Sequence, residues 1–439
     1  MSGARLLTRR RFSGLLGAYL SSLPAARSAA ARSRQRLLEI AADEAALRLR
    51  TGRVIEIIER HIETGYLAGA VALIGSGAHA EVAAVGEQSL DAPRLMQRDS
   101  LFRITSMSEP VTAAAALMLI DEGRLRLDEP IAHWIPELAH RRVLRDLNGP
   151  LEDTVRARRP ITVEDLLTCR CGLGVVPAAE DYPLQRRVAD LQLPGFGRPD
   201  PTSPLSPNEW LQRVGTLPLM AQPGDTWLYN TGSCILGVLL ARVLQKPLPQ
   251  LLEERIFAPL GMRDTAFAVP PSKRERLVSA YRLEAGRLQL DDAPDSSPWM
   301  NTPTFPDGSA GLVSTVDDVF AFSNFLLMRG HSAHARLLSV KAVADMTRDH
   351  LTVEQRAAAA PFIGNQRGWG FGLAVVTAAT PQGIPAGAYG STGGFGTSWI
   401  ADPLSATSAI LLTQTLFTSP ASPAVHQEFW SAVFSPPIV

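Results

Sequence analysis

One stretch decides the fold: Phe102-Arg-Ile-Thr-Ser-Met-Ser-Glu-Pro-Val-Thr112, which runs into four alanines and then Leu117-Met-Leu-Ile120. It starts like the end of a strand and continues without a loop as a helix, which alanine and leucine favour. Pro110 fits this helix only in the first turn, where its missing N–H costs nothing. We therefore expect Ser106 at the helix N-terminus, where free backbone N–H groups can act as donors to an oxyanion.

The same stretch resembles the active-site segment of the serine β-lactamase and penicillin-binding-protein superfamily, in its class C-like and esterase (family VIII-like) branch. Members carry Ser-x-x-Lys at this point, usually followed by Pro-Val-Thr. This chain has Ser106-Met-Ser-Glu109 and then Pro110-Val-Thr112, so the serine matches and a glutamate replaces the motif lysine. The resemblance implies that Ser106 is the catalytic nucleophile.

A second segment, Tyr229-Asn-Thr-Gly-Ser233, resembles the superfamily motif that supplies a tyrosine general base or acid. Two registers are open. Matching Asn230 to the asparagine of the class C Tyr-x-Asn motif puts Leu228 in the tyrosine position. The esterase-like register makes Tyr229 the tyrosine and Thr231 the third member, and we favour it because it keeps a phenol in the site. The alternative for Tyr229 is an amphipathic core residue.

A third segment, Ser391-Thr392-Gly393 followed by Gly394, resembles the motif on the strand that edges the site. Relatives carry Lys-Thr-Gly, His-x-Gly or Trp-x-Gly there, so the lysine, histidine or tryptophan is replaced by Ser391. Glycines allow a ligand to lie against the strand backbone, and the N–H groups there can complete an oxyanion hole. The resemblance implies that these four residues bind substrate, and an ordinary glycine-rich turn is the alternative.

Glu109 changes the chemistry expected of the site. The superfamily lysine helps to remove the serine proton and lowers the pKa of the nearby phenol, whereas a carboxylate should raise that pKa. Ser106 and Tyr229 should therefore be harder to activate. Two readings of Glu109 stay open. It is a substitute general base, ionised with the help of the helix N-terminus, or it is an acidic residue that only stabilises the helix.

Composition predicts a large folded body and excludes some classes of partner. Hydrophobic residues make up 46% of the 439 residues and charged residues 20%, which predicts a substantial core. Residues 1–38 hold eight arginines and no acidic residue, so 35 basic against 43 acidic residues remain, a net charge of about −8. A body of that sign gives no reason to expect nucleic-acid binding.

The three cysteines, Cys169, Cys171 and Cys234, are too few and odd in number for a disulfide framework. No second cysteine pair or histidine pair completes a metal site with Cys169-Arg-Cys171. We therefore expect structural thiols and predict neither a metal nor a cofactor.

The N-terminal segment has the features of a targeting signal. Thr8-Arg-Arg-Arg-Phe12 resembles a twin-arginine export motif, and the apolar run Leu15–Leu23 is too short and too polar to span a membrane. Such motifs are read by a receptor. We expect residues 1–33 to direct export to the periplasm or outside the cell, without stable membrane insertion. An Arg-rich transit peptide for an organelle is the alternative.

The remaining chain is expected to form one α/β (α+β) domain, residues 34–439. The resemblance implies an antiparallel sheet from both chain ends, flanked by helices, with a mainly helical subdomain inserted at residues 124–300. Alternation and turn residues predict the following elements: strands at 68–75, 80–85, 369–376, 397–401 and 409–413, and a last helix at 426–434.

Two functional hypotheses follow. The first is an exported serine hydrolase that acts on small esters, amides or peptides through an acyl-Ser106 intermediate, with Tyr229 as general acid or base. The second is a catalytically inactive relative that binds a ligand or partner in the same cleft, suggested by Glu109 and Ser391. The sequence does not indicate the oligomeric state.

Overall fold

The computed structural model describes residues 44–77, 79–176, 182–332 and 335–435. The targeting segment expected at residues 1–33 lies outside the described residues. Residues 44–50 are helical, and every element discussed below belongs to the large unit Thr51–Val439. That residues 34–439 form one domain stays a prediction.

The strands are numbered in chain order. They are β1 Gly69–Ser76, β2 His79–Gly86, β3 Phe102–Arg103, β4 Arg142–Leu144, β5 Thr154–Arg156, β6 Ala280–Glu284, β7 Arg287–Asp292, β8 Val313–Ser314, β9 Arg367–Trp369, β10 Ala374–Val376, β11 Tyr389–Gly393, β12 Thr397–Asp402 and β13 Thr407–Thr413.

The helices of the large unit are also numbered in chain order. They are α1 51–63, α2 Ser108–Asp121, α3 Val163–Leu167, α4 Pro183–Asp190, α5 Pro207–Gly215, α6 Thr231–Leu244, α7 Leu248–Leu252, α8 Ala258–Leu260, α9 Val316–Leu327, α10 Val340–Met346, α11 Val353–Ile363 and α12 Ala424–Phe434.

A seven-stranded antiparallel sheet forms the centre of the unit, in the order β2-β1-β13-β12-β11-β10-β9. Strands from the two ends of the chain meet at its centre, where β1 pairs with β13 from Ala70↔Thr413 to Ser76↔Thr407. The predicted fold class, an antiparallel sheet from both chain ends flanked by helices, is therefore confirmed.

Helices cover both faces of this sheet. Trp399 of β12 donates a hydrogen bond from Nε1 to Ser323 Oγ of α9 at 2.7 Å. Its neighbour Ser398 is hydrogen-bonded through Oγ to His426 Nδ1 of α12 at 2.8 Å. Successive strand residues point to opposite faces, so α9 and α12 lie on opposite sides. Because both faces are covered, β13 is buried along its whole length.

One strand prediction was wrong. Residues 369–376 were expected to form a single strand, but they contain the last residue of β9, a turn and all of β10, and the two strands pair antiparallel. The turn depends on two glycines. Gly372 adopts a φ of 72°, and a Cβ atom on Gly370 would overlap the carbonyl oxygen of Met346.

The central helix α2 is a core element. Each of its residues from Ser108 to Leu119 is buried, as expected of a helix that is apolar on all sides. It follows a 3₁₀ turn at Thr105–Met107, and Pro110 lies in its first turn. Gly123, with a φ of 70°, follows its end. The predicted strand-to-helix join around Ser106 is confirmed.

The segment 124–300 contains α3 to α8 together with two small hairpins, β4–β5 and β6–β7. Its limits as a subdomain stay a prediction. Among the described residues, no single helix is long and apolar enough to cross a membrane. One pair bent by 80°, Thr231–Leu244 with Leu248–Leu260, passes that test by length and composition only.

Candidate active site

Ser106 lies in a tight turn between β3 and α2. It is only partly buried, whereas its neighbours Thr105 and Met107 are buried. Thr105 has a φ of 41°, a left-handed conformation that strains a β-branched residue. The hydroxyl of Ser108 supports the turn, because it donates to the Thr105 carbonyl at 2.6 Å and accepts the Leu312 N–H at 3.1 Å. The strain therefore sits directly before the candidate nucleophile.

Tyr229 lines the same cavity as Ser106. Its phenol lies close enough to Ser106 and Glu109 for both to shift its pKa. Its ring is fixed by aromatic neighbours: it stacks on Trp227 with centroids 5.6 Å apart, and Phe362 lies at 5.4 Å. Burial and the charge of Glu109 raise the pKa of Tyr229 well above its ordinary value. The phenol therefore keeps its proton at neutral pH.

Glu109 is enclosed by protein and only 1% exposed. Its Oε2 accepts a hydrogen bond from Ser233 Oγ at 2.9 Å, whereas its Oε1 has no hydrogen-bond partner among the described residues. Burial raises the pKa of Glu109 to about 8, with a further contribution from the charge of Asp307. The carboxyl group is therefore mostly protonated at pH 7.

The expectation that the helix N-terminus would keep Glu109 ionised was wrong. A rise in pKa from 4.5 to about 8 corresponds to about 5 kcal/mol. A helix terminus contributes at most about 2 kcal/mol even in partly buried positions. Loss of hydration therefore outweighs the helix dipole at this residue.

Strand β11 runs beside the Ser106 turn. Ser391 Oγ donates to the backbone carbonyl of Ser106 at 3.2 Å. A Cβ atom on Gly393 would overlap the Ile104 carbonyl oxygen and lie 2.6 Å from Thr105 Oγ1, so only glycine allows this approach. Strand β10 pairs with β11 at Tyr389 and Gly390 alone. In the described part of the chain, the edge of β11 next to Ser106 is therefore free of a neighbouring strand.

The predicted site residues do not all meet at the site. Ser106, Tyr229, Glu109 and Ser391 are brought together, and Thr392 and Gly394 line the adjoining cavity. Gly393 packs under the Ser106 turn. Thr231 does not reach the site, because it is fully buried and its hydroxyl donates to the Gly195 carbonyl at 2.6 Å. The expectation that Thr231 binds substrate was therefore wrong.

Sequence reasoning missed Ser233, which supplies the hydrogen bond to Glu109. Asn230 precedes α6 with a φ of 80°, and this backbone turn sets which residue of the first helical turn faces Glu109. The one signal in the sequence was a small polar residue four positions after Tyr229.

All three cysteines are free and buried, as expected.

A cavity of about 490 Å³ opens at Ser106. It is walled mainly by apolar and aromatic side chains, among them Tyr229, Phe362, Trp369 and Trp430. This composition is typical of a pocket for a small organic molecule, in which a few polar groups fix the orientation.

Comparisons with known proteins agree with this geometry. The sequence matches the Beta-lactamase family over residues 54–428. Protein Rv1367c of Mycobacterium tuberculosis is 40% identical over 354 residues, which cover 78% of this chain and 84% of that protein. Esterase EstB of Burkholderia gladioli is 28% identical over 84% of this chain and 92% of its own length. The solved structure of EstCE1, described as a hydrolase with promiscuous acyltransferase activity, superposes with a TM-score of 0.75 at 27% identity. That superposition covers 89% of this chain and 100% of EstCE1.

Proposed function

This chain belongs to the β-lactamase family, and from that premise we propose that it is a serine hydrolase which cleaves small esters through an acyl-Ser106 intermediate. Its relatives include esterases and acyltransferases. The contacts around Ser106 support this serine as the nucleophile. Small amides are a secondary substrate class.

The proposed steps use three side chains. Ser106 Oγ attacks the ester carbonyl carbon and passes its proton to Tyr229, while Tyr229 passes its own hydroxyl proton to ionised Glu109. The alcohol leaves with a proton returned along the same path. Water then attacks the acyl carbon, and its proton passes by that route to Ser106 Oγ as the bond between the acyl carbon and Oγ breaks and the carboxylic acid is released. Backbone N–H groups at Ser106 and along residues 391–394 are the candidate donors to the oxyanion.

One observation carries this proposal: Tyr229 lines the cavity beside Ser106, and its phenol is close enough to Ser106 and Glu109 for both to shift its pKa. A glutamate in the lysine position therefore has a route to the serine proton through the phenol. Its pKa of about 8 is favourable for a general base, which works best when its pKa is near the working pH.

The test is the intact mass of the purified protein after reaction with a fluorophosphonate probe. We expect one adduct, absent from Ser106→Ala and retained by Ser419→Ala, since Ser419 is a second serine of the same cavity. An adduct that persists in Ser106→Ala would identify another nucleophile. No adduct on the unaltered protein would refute the proposal.

A second candidate function is ligand binding without turnover. Ser391 stands where relatives carry a lysine, histidine or tryptophan, and Glu109 is mostly neutral at pH 7. Both features weaken activation of Ser106. Failure of ester turnover at pH 9, where Glu109 is ionised, would favour this candidate over hydrolysis.

Export belongs to the proposal as well. Its support is the sequence Thr8-Arg-Arg-Arg-Phe12. Replacing Arg9 and Arg10 by lysine in the full chain should keep the protein inside a twin-arginine-competent bacterial host. Equal export of both forms would contradict a twin-arginine route.

A further inference from the structure

The cavity at Ser106 has one charged side chain in its wall. Among the described residues that line it, Arg367 is the sole ionisable side chain apart from the tyrosines, and no aspartate, glutamate, lysine or histidine faces the space. The rest of the lining consists of apolar, aromatic, hydroxyl and amide groups. A single positive charge in such a wall acts on any anion that enters the cavity.

No carboxylate neutralises Arg367. Within the described chain its guanidinium has neither an ion pair nor a side-chain hydrogen bond, and its carbon lies 5.2 Å from the ring centroid of Trp430. The buried Arg103 is different, because Asp292 accepts from its Nε at 2.5 Å. Burial lowers the pKa of Arg367 to about 10, so it remains cationic at neutral pH. A partly buried cation is costly without an anion, and the cavity is where an anion can reach it.

The sheet fixes the place of Arg367 relative to the nucleophile. Val376 of β10 pairs with Arg367 of β9, and the next strand is β11. Two strand spacings and about three residues along β11 put the Cα atoms of Arg367 and Ser391 about 14 Å apart. Ser391 contacts Ser106. Arg367 lies on the α12 side of the sheet, over Trp430, whereas Ser391 is paired with Trp399, which faces α9. The cavity that both Ser106 and Arg367 line is what connects the two, so an anion at Arg367 would belong to the far end of a substrate that extends from Ser106 through this cavity.

We propose that Arg367 binds a carboxylate at the end of the substrate remote from the scissile ester, so that the preferred substrates are extended, singly anionic esters. The inference rests on the proposed function. The planar guanidinium presents paired donors that match a carboxylate, and one face of the guanidinium lies over the Trp430 ring. The folded body carries a net charge of about −8 beyond residue 38, so a local cation is needed to attract an anionic substrate.

The test compares two esters of equal length, p-nitrophenyl hydrogen suberate and its methyl-capped form, p-nitrophenyl methyl suberate. The measured quantity is the ratio of kcat/KM for the anionic ester to that for the capped ester. Arg367→Gln should lower this ratio about tenfold or more, because a charge-assisted hydrogen bond is lost. Arg367→Lys should give an intermediate ratio, since it keeps the charge but not the paired donors.

Arg348→Gln is the matched control. Arg348 is an exposed arginine outside the cavity wall, so its loss removes the same charge and should leave the ratio unchanged. If turnover of both esters depends on Ser106 but Arg367→Gln leaves the ratio unchanged, this inference is overturned and the proposed function stands.

Equilibrium dialysis of the anionic ester with Ser106→Ala protein, with and without Arg367→Gln, gives a readout that needs no turnover. Weaker binding in the double variant supports the carboxylate site even if no ester is hydrolysed, in which case only the hydrolase proposal fails. Equal binding by both proteins overturns the site.

Discussion

At the scale of single residues, burial acts on Glu109 in the opposite sense to its action on the lysine of related proteins. A buried lysine has a lowered pKa and a buried glutamate a raised one, so the same pocket pushes both groups towards neutrality. Glu109, with a pKa of about 8, then titrates near the pH at which enzymes work. In the mechanism we propose, Glu109 is therefore a base of useful strength, although each of its protonation states carries one positive charge less than that of a lysine.

The activity should rise with pH through about 8, the pKa of Glu109. The ionised carboxylate is the form that accepts a proton, and it is the form present above this pKa. The check is a profile of kcat/KM for a neutral ester between pH 6 and 10. Glu109→Gln should be at least about a hundredfold slower and lose this step. A midpoint that is unchanged in Glu109→Gln would assign the step to another group.

Glu109 should also make the folded state less stable as pH rises. Its folded pKa, about 8, lies above its ordinary value of 4.5, so its contribution is fully present below pH 4.5 and lost as pH rises to 8. Glu109→Gln should therefore raise the free energy of unfolding at pH 8 by up to about 5 kcal/mol and much less at pH 5. Urea unfolding at both pH values tests this, and an equal effect at both would contradict it.

At the scale of elements, the sequence predicted what depends on neighbouring residues and missed what depends on distant ones. Helix α2 was predictable because good helix formers follow Pro110. The capping box of α3, in which Thr162 and Asp165 bond reciprocally, is likewise formed by residues only three positions apart. The β9–β10 turn was not predictable, because it depends on the approach of Gly370 to Met346. The contact between Ser233 and Glu109 was not predictable either, because the backbone conformation of Asn230 sets which residue of α6 faces Glu109.

Gly393 offers a sharp test of how closely β11 approaches the Ser106 turn. Gly393→Ala should lower the free energy of unfolding by about 1–3 kcal/mol, because its Cβ overlaps the Ile104 carbonyl oxygen and the hydroxyls of Thr397 and Thr105. The matched control is Gly394→Ala, which meets nothing within 4 Å and should stay within about 0.5 kcal/mol. Similar losses in both variants, measured by urea unfolding, would show that this contact is not specific.

At the scale of the whole molecule, a buried ion pair fastens the strand before Ser106 to the hairpin β6–β7. Arg103 of β3 donates to Asp292 of β7 at 2.5 Å and to the Val278 carbonyl at 2.6 Å. The side chains of the pair are 1% and 6% exposed. Such a pair is costly to break from one side, because the remaining charge stays buried.

Arg103→Met should lower the free energy of unfolding by about 3–5 kcal/mol, measured by urea unfolding. The control pair is Arg98–Asp317, which is exposed. Arg98→Met should cost less than about 1 kcal/mol. A small loss in Arg103→Met would mean that water or rearrangement compensates Asp292.

The pairing of β1 with β13 has a consequence for biosynthesis. The strand that completes the centre of the sheet is synthesised last, and Ser391 meets the backbone of Ser106 across 285 residues of chain. Contacts of such sequence separation slow folding, so the nucleophile cannot acquire its surroundings while the ribosome is still adding the final strands. A nascent chain stalled before residue 407 should lack a native site, and esterase activity should emerge only after release.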